Sequence, residues 1–264
     1  MGVDLHCHIL PGIDDGARDA AQALAMARIA VDDGIHTVFA TPHHLNGVYR
    51  NPADVVLDQV GKLQAALDEA DIGLTLLPGA ENHLVPELPA ALRAGTALTL
   101  GGFGKAALVE LPVHDIPMGA EELLDNIRGH GIVPIIAHPE RNTALRRNPD
   151  RLAEWVGAGC LTQVTAQSCT GRFGEPVQTA SRRMIERGLV HFVASDAHRD
   201  RRRIPQIEPA RAKVAEWTND TVAALLCRDY PCAVAAGGLP ALDALYAALP
   251  ERSLPWWRRW FGRG

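Results

Sequence analysis

The sequence has no long apolar run and no C-x-x-C pair of cysteines, and its first residues do not resemble a signal peptide. No apolar stretch approaches the roughly 18 residues that a membrane-spanning helix needs, and the acidic Asp4 stands where a signal peptide would carry basic residues. The five cysteines are scattered without C-x-x-C spacing, which argues against a disulfide framework and against a structural zinc site. These absences predict a soluble, cytoplasmic protein with reduced thiols.

The chain also lacks the excess of positive charge that is typical of nucleic-acid-binding proteins. Its formal net charge is −5, so no nucleic-acid partner is expected. Residues 251–264 are the exception, with four arginines against one glutamate. Because 264 residues with 47% hydrophobic content can bury a large core, we predict one domain over residues 1–250, followed by a basic aromatic tail at residues 251–264.

Short apolar segments rich in valine, isoleucine and leucine are typical of buried strands. Seven such segments are present: Val3–Ile9, His36–Ala40, Leu74–Leu77, Ala106–Glu110, Val133–Ala137, Leu161–Thr165 and His191–Ala194. Helical patterns separate them, and the one that begins near Pro52 is expected to be capped by Asn51. Further helices are predicted near Glu121–His130, Pro149–Ala158, Pro176–Arg187 and Glu208–Leu226. Alternating strands and helices predict an α/β fold with a parallel sheet.

Polar residues follow six of the seven predicted strands. In a doubly wound sheet, ligands gather at one switch point, whereas nearly every strand contributes to the mouth of a barrel. The pattern therefore favours a distorted (β/α) barrel. His6 and His8 lie two residues apart in the first strand, so both imidazoles point to the same face.

These strand-end residues form a candidate metal-binding set of imidazoles and carboxylates without thiolates. Its members are His6, His8, Asp15, His43, Glu81, Glu110, His138, Asp196 and His198. Such ligands suit zinc, manganese, iron or cobalt, and all four stay open. Nine ligands would require several ions, and Glu81 or Glu110 could bridge two of them.

The other histidines are given structural roles. Three fall at or before strand starts and are expected at the opposite rim as surface or turn residues: His36, His130 and His191. Three lie near the mouth but outside the ligand pattern, and we expect them to be solvated, with a role in supporting the ligands or in a lid as the alternative: His44, His83 and His114. Cys7 alternates away from His6 and His8, so we expect a packed and unreactive thiol.

Several motifs together resemble the polymerase-and-histidinol-phosphatase (PHP) superfamily, and within it the metal-dependent tyrosine phosphatases of bacterial capsule and exopolysaccharide operons. They lie at residues 4–16, 41–44, 137–141, 162–164 and 195–198, and the resemblance covers residues 3 to about 237. It implies a distorted (β/α)7 barrel of PHP type. It also implies a centre of three divalent or trivalent metal ions (Mn, Fe, Zn or Co) held by the nine residues above.

The resemblance further implies that Arg141 and Arg203 bind the substrate phosphate, which suits the planar fork of arginine. The implied activity is hydrolysis of phosphotyrosine on a protein, with a membrane-associated tyrosine kinase of capsule or exopolysaccharide synthesis as the partner. A tyrosinate leaving group with a pKa of about 10 needs only modest help with protonation. Asp15 or His198 could supply that proton, and both assignments stay open.

Other functions remain as alternatives. A cysteine-dependent phosphatase is excluded because no cysteine is followed six positions later by an arginine. The same barrel could act on histidinol phosphate or another small phosphomonoester, or could serve as a non-catalytic, metal-binding regulatory partner of a kinase. The aromatic and basic residues of the tail suit the inner face of an anionic membrane, as a peripheral contact. Docking of the tail on its own domain or on a second copy in a homo-oligomer is the other reading.

Overall fold

The computed structural model describes residues 2–250, and within this range it has nine strands. They are β1 (Gly2–Cys7), β2 (Ile35–Ala40), β3 (His43–His44), β4 (Thr75–Pro78), β5 (Glu81–His83), β6 (Ala106–Glu110), β7 (Val133–Ala137), β8 (Leu161–Thr165) and β9 (Phe192–Ala194). All seven predicted strands are present, with ends shifted by at most two residues. The two short additions, β3 and β5, directly follow β2 and β4.

Helices follow most of the strands, as the alternating pattern predicted. They are α1 (Ala20–Asp32), α2 (Ala53–Glu69), α3 (Leu88–Ala94), α4 (Ala120–Gly129), α5 (Thr143–Arg147), α6 (Pro149–Gly157), α7 (Ala166–Cys169), α8 (Glu175–Glu186), α9 (Glu208–Trp217), α10 (Asp220–Ala224), α11 (Tyr230–Ala235) and α12 (Asp243–Ala248). A 3-10 turn occupies Leu100–Gly102, and a π-helical turn occupies Leu225–Asp229.

The prediction of a single helix over Glu208–Leu226 is wrong. The backbone leaves the helical region at Thr218 (φ −130°, ψ −92°), and a new helix begins after Asn219. The Asn219 side chain caps this helix by accepting a hydrogen bond from the Val222 amide at 2.9 Å. A local cap therefore overrides an apolar pattern that continues across the break.

The strands form two sheets in which every pair of neighbours is parallel. One has the order β1-β2-β4 and the other has the order β3-β5-β6-β7-β8-β9. The first and last strands also meet, because Cys7 and Ala197 form a parallel bridge. There the His8 amide donates to the Ala197 carbonyl, and the Asp196 amide donates to the His6 carbonyl, both at 2.8 Å. Parallel pairing places the carboxyl ends of all strands on one side of the molecule.

The core lies between the sheets and the surrounding helices. Helix α2 contributes one apolar face to this core, where Val56, Val60, Leu63 and Leu67 are buried. The predicted cap of this helix is wrong, because Pro52 occupies the capping position. The Asn51 amide instead donates to the carbonyls of Ile13 (3.0 Å) and His43 (2.9 Å), and so joins the loop after β1 to strand β3.

Within residues 2–250, no helix combines the length and the apolar character needed to cross a bilayer. The predicted basic aromatic tail, residues 251–264, lies outside the described residues.

Candidate metal centre

The first two candidate ligands lie on β1 and at its end, and both are fully buried. As the two-residue spacing predicted, their side chains point the same way, and the Nε2 atoms of His6 and His8 lie 3.1 Å apart. Each faces the same carboxylate oxygen, Glu81 Oε2, at 3.4 Å and 3.3 Å respectively.

Glu81 lies at the centre of the cluster. Its Oε2 atom is 2.9 Å from His43 Nδ1, and its Oε1 atom is 2.7 Å from His138 Nε2. Both atoms of the first pair, Glu81 Oε2 and His43 Nδ1, are buried, and although they lie close together, neither forms a hydrogen bond within residues 2–250. Because buried polar atoms are nearly always satisfied, these two atoms fit the ligands of a cation. Glu81 belongs to the short strand β5, which brings its carboxylate beside His43 of β3.

Two more carboxylates border the cluster. Asp15 Oδ1 lies 3.5 Å from His43 Nε2 and 3.4 Å from His198 Nε2. Glu110 Oε2 lies 3.6 Å from His43 Nδ1, and Glu110 Oε1 lies 3.8 Å from His138 Nε2. Asp15 is partly exposed, whereas Glu110 is largely buried, so the cluster opens to solvent on the Asp15 side.

The candidate ligands form three groups whose ligand atoms lie within 4.8 Å of one another. The groups are His8 with Asp15, His43 and His198; His6 with His8 and Glu81; and His43 with Glu81 and Glu110. The remaining two candidates contact these groups, since His138 reaches Glu81 and Asp196 Oδ1 lies 3.4 Å from His6 Nε2. All nine predicted ligands therefore lie in one cluster, and their chemistry suits zinc, manganese, iron or cobalt.

Two of these residues have an unusual backbone conformation. His138 (φ 32°) and Asp196 (φ 51°) both lie in the left-handed region that favours glycine. Each such residue costs on the order of 1–3 kcal/mol, and such strain clusters at functional sites. Interactions elsewhere in the fold must offset this conformational cost, and the two side chains are thereby kept directed toward the cluster.

Burial and charge act in opposite directions on the ionisable groups here. Burial disfavours protonated His6, but the charges of Glu81 and Asp196 outweigh it and raise its pKa. Burial favours protonated Glu81, but His6 and His43 outweigh it and hold its pKa well below the usual range. At His198, burial together with the nearby His8 lowers the pKa to about 4. His198 is therefore neutral at pH 7, the form that binds metals.

Two residues that orient the histidines were not given roles from the sequence. Asp14 Oδ2 lies 2.7 Å from His8 Nδ1, and Gln163 Oε1 lies 2.9 Å from His6 Nδ1. Such partners fix the ring orientation of a metal-binding histidine and leave its other nitrogen free. Asp14 lies in the motif at residues 4–16, and Gln163 lies in the motif at residues 162–164. The position of Gln163 within a predicted buried strand was the one sign in the sequence that its polar side chain has a role.

The two predicted phosphate-binding arginines converge at the edge of the cluster. Arg141 Nη1 and Arg203 Nη2 each lie 2.5 Å from Asp196 Oδ2. The Arg141 guanidinium also lies over the ring of Phe173, 5.0 Å from its centroid, a contact that the sequence did not indicate. Both arginines are partly exposed, so an anion from solvent can reach them.

Two expectations for the other histidines are wrong. His191 is fully buried rather than at the surface, and His44 is buried rather than solvated. His83 agrees with the alternative of a supporting role, since its Nδ1 atom lies 3.3 Å from Glu110 Oε2. His114 and His130 are exposed, as expected. Cys7 is buried, and burial raises the pKa of its thiol well above the usual range, which agrees with an unreactive side chain.

Imidazoles and carboxylates clustered at the carboxyl ends of parallel strands, beside two arginines, define a metal-dependent hydrolase of the α/β class. The chain belongs to the CpsB/CapC family of capsular polysaccharide synthesis, whose family model matches residues 2–235. This membership confirms the resemblance found in the motifs.

Characterised relatives are similar over most of the chain. The tyrosine-protein phosphatase YwqE of Bacillus subtilis is 44% identical over 196 residues, which cover 74% of this chain and 77% of YwqE. The putative tyrosine-protein phosphatase CapC of Staphylococcus aureus is 34% identical over 196 residues, and this match covers 74% of the present chain and 76% of CapC. A crystal structure from work on YwqE of B. subtilis and CpsB of Streptococcus pneumoniae, described as unique metal-dependent tyrosine phosphatases, matches with a TM-score of 0.80. It has 38% identity and covers 86% of this chain and 97% of its own.

Proposed function

We propose that this protein is a metal-dependent protein-tyrosine phosphatase that hydrolyses phosphotyrosine on a protein. The observation that carries the proposal is the convergence of nine imidazole and carboxylate side chains around the buried carboxylate of Glu81, beside two arginines. The names of the similar proteins support the choice of phosphotyrosine as substrate.

The nine residues would hold the metal, and we propose three ions, manganese, iron, zinc or cobalt, because the ligands form three groups. When bound, such ions supply Lewis-acid chemistry, which activates water and neutralises phosphate charge. Glu81 is the best candidate to bridge ions, since its oxygens face histidines from several strands. We also propose that the strands close into a distorted (β/α)7 barrel of PHP type, which the Cys7–Ala197 bridge supports.

The protein's own side chains would bind the substrate and move the proton. Arg141 and Arg203 would each donate hydrogen bonds to phosphate oxygens and offset the charge that develops on them. Phe173 would keep the Arg141 guanidinium flat against its ring. Asp15 or His198, whose Oδ1 and Nε2 atoms lie 3.4 Å apart, would relay a proton to the oxygen of the leaving tyrosinate.

Chelation tests the proposal directly. We expect EDTA to abolish hydrolysis of a phosphotyrosine peptide and added manganese to restore it, while Cys7→Ser retains most of the activity. Hydrolysis that survives complete chelation would contradict the metal mechanism. A clear preference for histidinol phosphate over the phosphotyrosine peptide would favour the small-substrate alternative, and a metal-loaded protein without activity on either would favour a regulatory role.

A membrane-associated tyrosine kinase is the proposed protein substrate and partner, with the enzyme in the cytoplasm at the inner face of the membrane. The tail, whose Trp and Arg residues suit an anionic membrane, would bring the two proteins together. Flotation with anionic liposomes, with and without residues 251–264, tests this contact. Equal flotation of both forms would contradict it, and a change of oligomeric state on truncation would favour docking of the tail between copies.

A further inference from the structure

A groove of about 500 Å3 lies outside the metal centre, between helix α8 and the junction of α5 with α6. Its volume falls within the range of roughly 300–1,000 Å3 that is common for ligand sites. The lining combines apolar side chains with arginines from both walls. Among the lining residues are Arg146, Arg147, Pro149, Arg183, Met184 and Arg187. We call this feature the arginine groove.

The arginine groove carries positive charge that the protein itself does not neutralise. Arg187 pairs with Asp150 at 2.7 Å, but Arg146 donates to backbone carbonyls instead of to a carboxylate. Arg147 and Arg183 are exposed, and within residues 2–250 no carboxylate forms an ion pair with either. The lining contains four arginines and one carboxylate, that of Glu175. In a chain with a net charge of −5, this local surplus indicates an anionic partner.

The helices on both sides of the groove follow directly in sequence from residues at the predicted phosphate-binding site. The loop after β7 carries Arg141 and leads into α5, whose Arg146 holds the Arg141 carbonyl at 2.7 Å. The loop between α7 and α8 carries Phe173, which contacts Arg141, and leads directly into α8. The groove is therefore continuous in sequence with the site on both sides.

The length of α5 indicates how far the groove lies from the loop that carries Arg141. A five-residue helix is about 7.5 Å long, and an extended peptide rises about 3.3 Å per residue. Arg147 is the last residue of α5, so this helix separates it from the Arg141 loop by a length that about two or three residues of extended peptide can span.

We propose that the arginine groove binds an acidic segment next to the phosphotyrosine in the protein substrate. This inference rests on the proposed function and adds a preference for sequence to it. Charge argues against the C-terminal residues 251–264 of the chain as occupant, because they carry four arginines and one glutamate. An extended segment that contains aspartate or glutamate matches the positive charge of the groove. The aliphatic parts of such a segment can contact the apolar residues of the lining.

The test compares two phosphotyrosine peptides that differ only in having glutamates or glutamines beside the phosphotyrosine. We expect the wild-type protein to prefer the acidic peptide roughly 3- to 10-fold in kcat/KM, mainly through KM, because two or three exposed charge pairs form. The double variant Arg147→Gln/Arg183→Gln should lose this preference, and higher ionic strength should reduce it in the wild type. Hydrolysis of free phosphotyrosine should be the same in both proteins.

Arg93→Gln is the matched control, since Arg93 is an exposed arginine on α3 that does not line the groove, and it should retain the preference. Equal turnover of both peptides by the wild type would overturn the inference, as would a double variant that still prefers the acidic peptide. Loss of binding to anionic vesicles without any effect on peptides would assign the groove to a membrane surface and would also overturn it.

A binding measurement separates this inference from the proposed function. Fluorescence anisotropy with an acidic peptide that lacks phosphotyrosine should show weaker binding to the double variant than to the wild type. If the metal-loaded wild type hydrolyses no phosphotyrosine, the proposed function fails, whereas the anisotropy difference still decides whether the groove binds acidic peptides.

Discussion

The Nδ1 atom of His8 lies 2.7 Å from a carboxylate oxygen of Asp14, six residues further along the chain. The other oxygen of Asp14 accepts a hydrogen bond from the Gly16 amide at 2.8 Å, so the loop itself holds the carboxylate in place. This contact fixes the orientation of the His8 ring and turns its Nε2 atom toward Glu81. Asp14 is therefore expected to act on the metal through His8.

Removing this carboxylate should weaken the metal centre. We expect Asp14→Ala to lower metal affinity about 10- to 100-fold, the usual effect of removing such a partner, and Asp14→Asn to lower it less. Titration of activity with manganese measures the change, and excess metal should restore most of the turnover. Asp58→Asn, an exposed carboxylate on α2, is the control. Unchanged metal affinity in Asp14→Ala would show that the contact has no role in binding.

Arg203 should matter for the substrate and not for the metal. Arg203→Ala removes charge-assisted hydrogen bonds to phosphate, so kcat/KM should fall about 10- to 100-fold. The amount of bound metal, measured by atomic emission, should stay at the wild-type value. Arg203→Lys should restore little, because lysine lacks the planar fork. Loss of metal in Arg203→Ala would instead assign Arg203 a structural role at Asp196.

The buried His191 should make the fold sensitive to acid. Burial lowers its pKa from 6.5 to about 3, so between these values the unfolded chain binds a proton that the folded protein does not. Stability is therefore lost as the pH falls below about 6.5, by about 2 kcal/mol between pH 7.5 and pH 5.

Replacing this histidine should remove that sensitivity. In His191→Gln, the free energy of unfolding in the presence of EDTA should fall by about 2 kcal/mol less over the same pH interval. Urea denaturation at both pH values measures the difference. His130→Gln, at an exposed position, should leave the pH dependence as it is in the wild type. Identical slopes in His191→Gln and the wild type would contradict the burial argument.

Gly16 should not accept a side chain. A Cβ atom at this position would lie 2.0 Å from the His8 carbonyl oxygen, so the loop with Asp14 and Asp15 would have to move. We expect Gly16→Ala to destabilise the protein by about 1–3 kcal/mol and to weaken metal binding. Gly61→Ala, on α2 with open space around it, should instead stabilise the protein by about 0.5–1 kcal/mol. Thermal unfolding with and without metal measures both effects.

The candidate site could be predicted from the sequence because its signal is local. Parallel strands all end on one side, so a polar residue after each apolar run already indicates where its side chain lies. Arg141 was assigned its role only through the resemblance of its motif to a known family. Neither line of reasoning found Asp14, because an aspartate in a loop beside another aspartate carries no pattern of its own.

Other features depend on contacts that sequence spacing does not show. His191 precedes a strand, a position typical of a rim, yet it is buried and its Nδ1 atom accepts a hydrogen bond from the Thr162 amide at 3.1 Å. Asn51 stands before Pro52 as a helix cap would, but its amide joins the loop after β1 to strand β3 instead. In each case a hydrogen bond to a residue distant in sequence decides the role of the side chain, and the local pattern does not show it.

The pairing of the first strand with the last has a consequence for biosynthesis. Because His6 and His8 face Asp196 and His198 across the Cys7–Ala197 bridge, a growing polypeptide lacks part of the candidate ligand set until nearly two hundred residues have left the ribosome. If these residues hold the proposed ions, a nascent chain could not bind all of them early in translation, and metal loading would report that synthesis had passed this point.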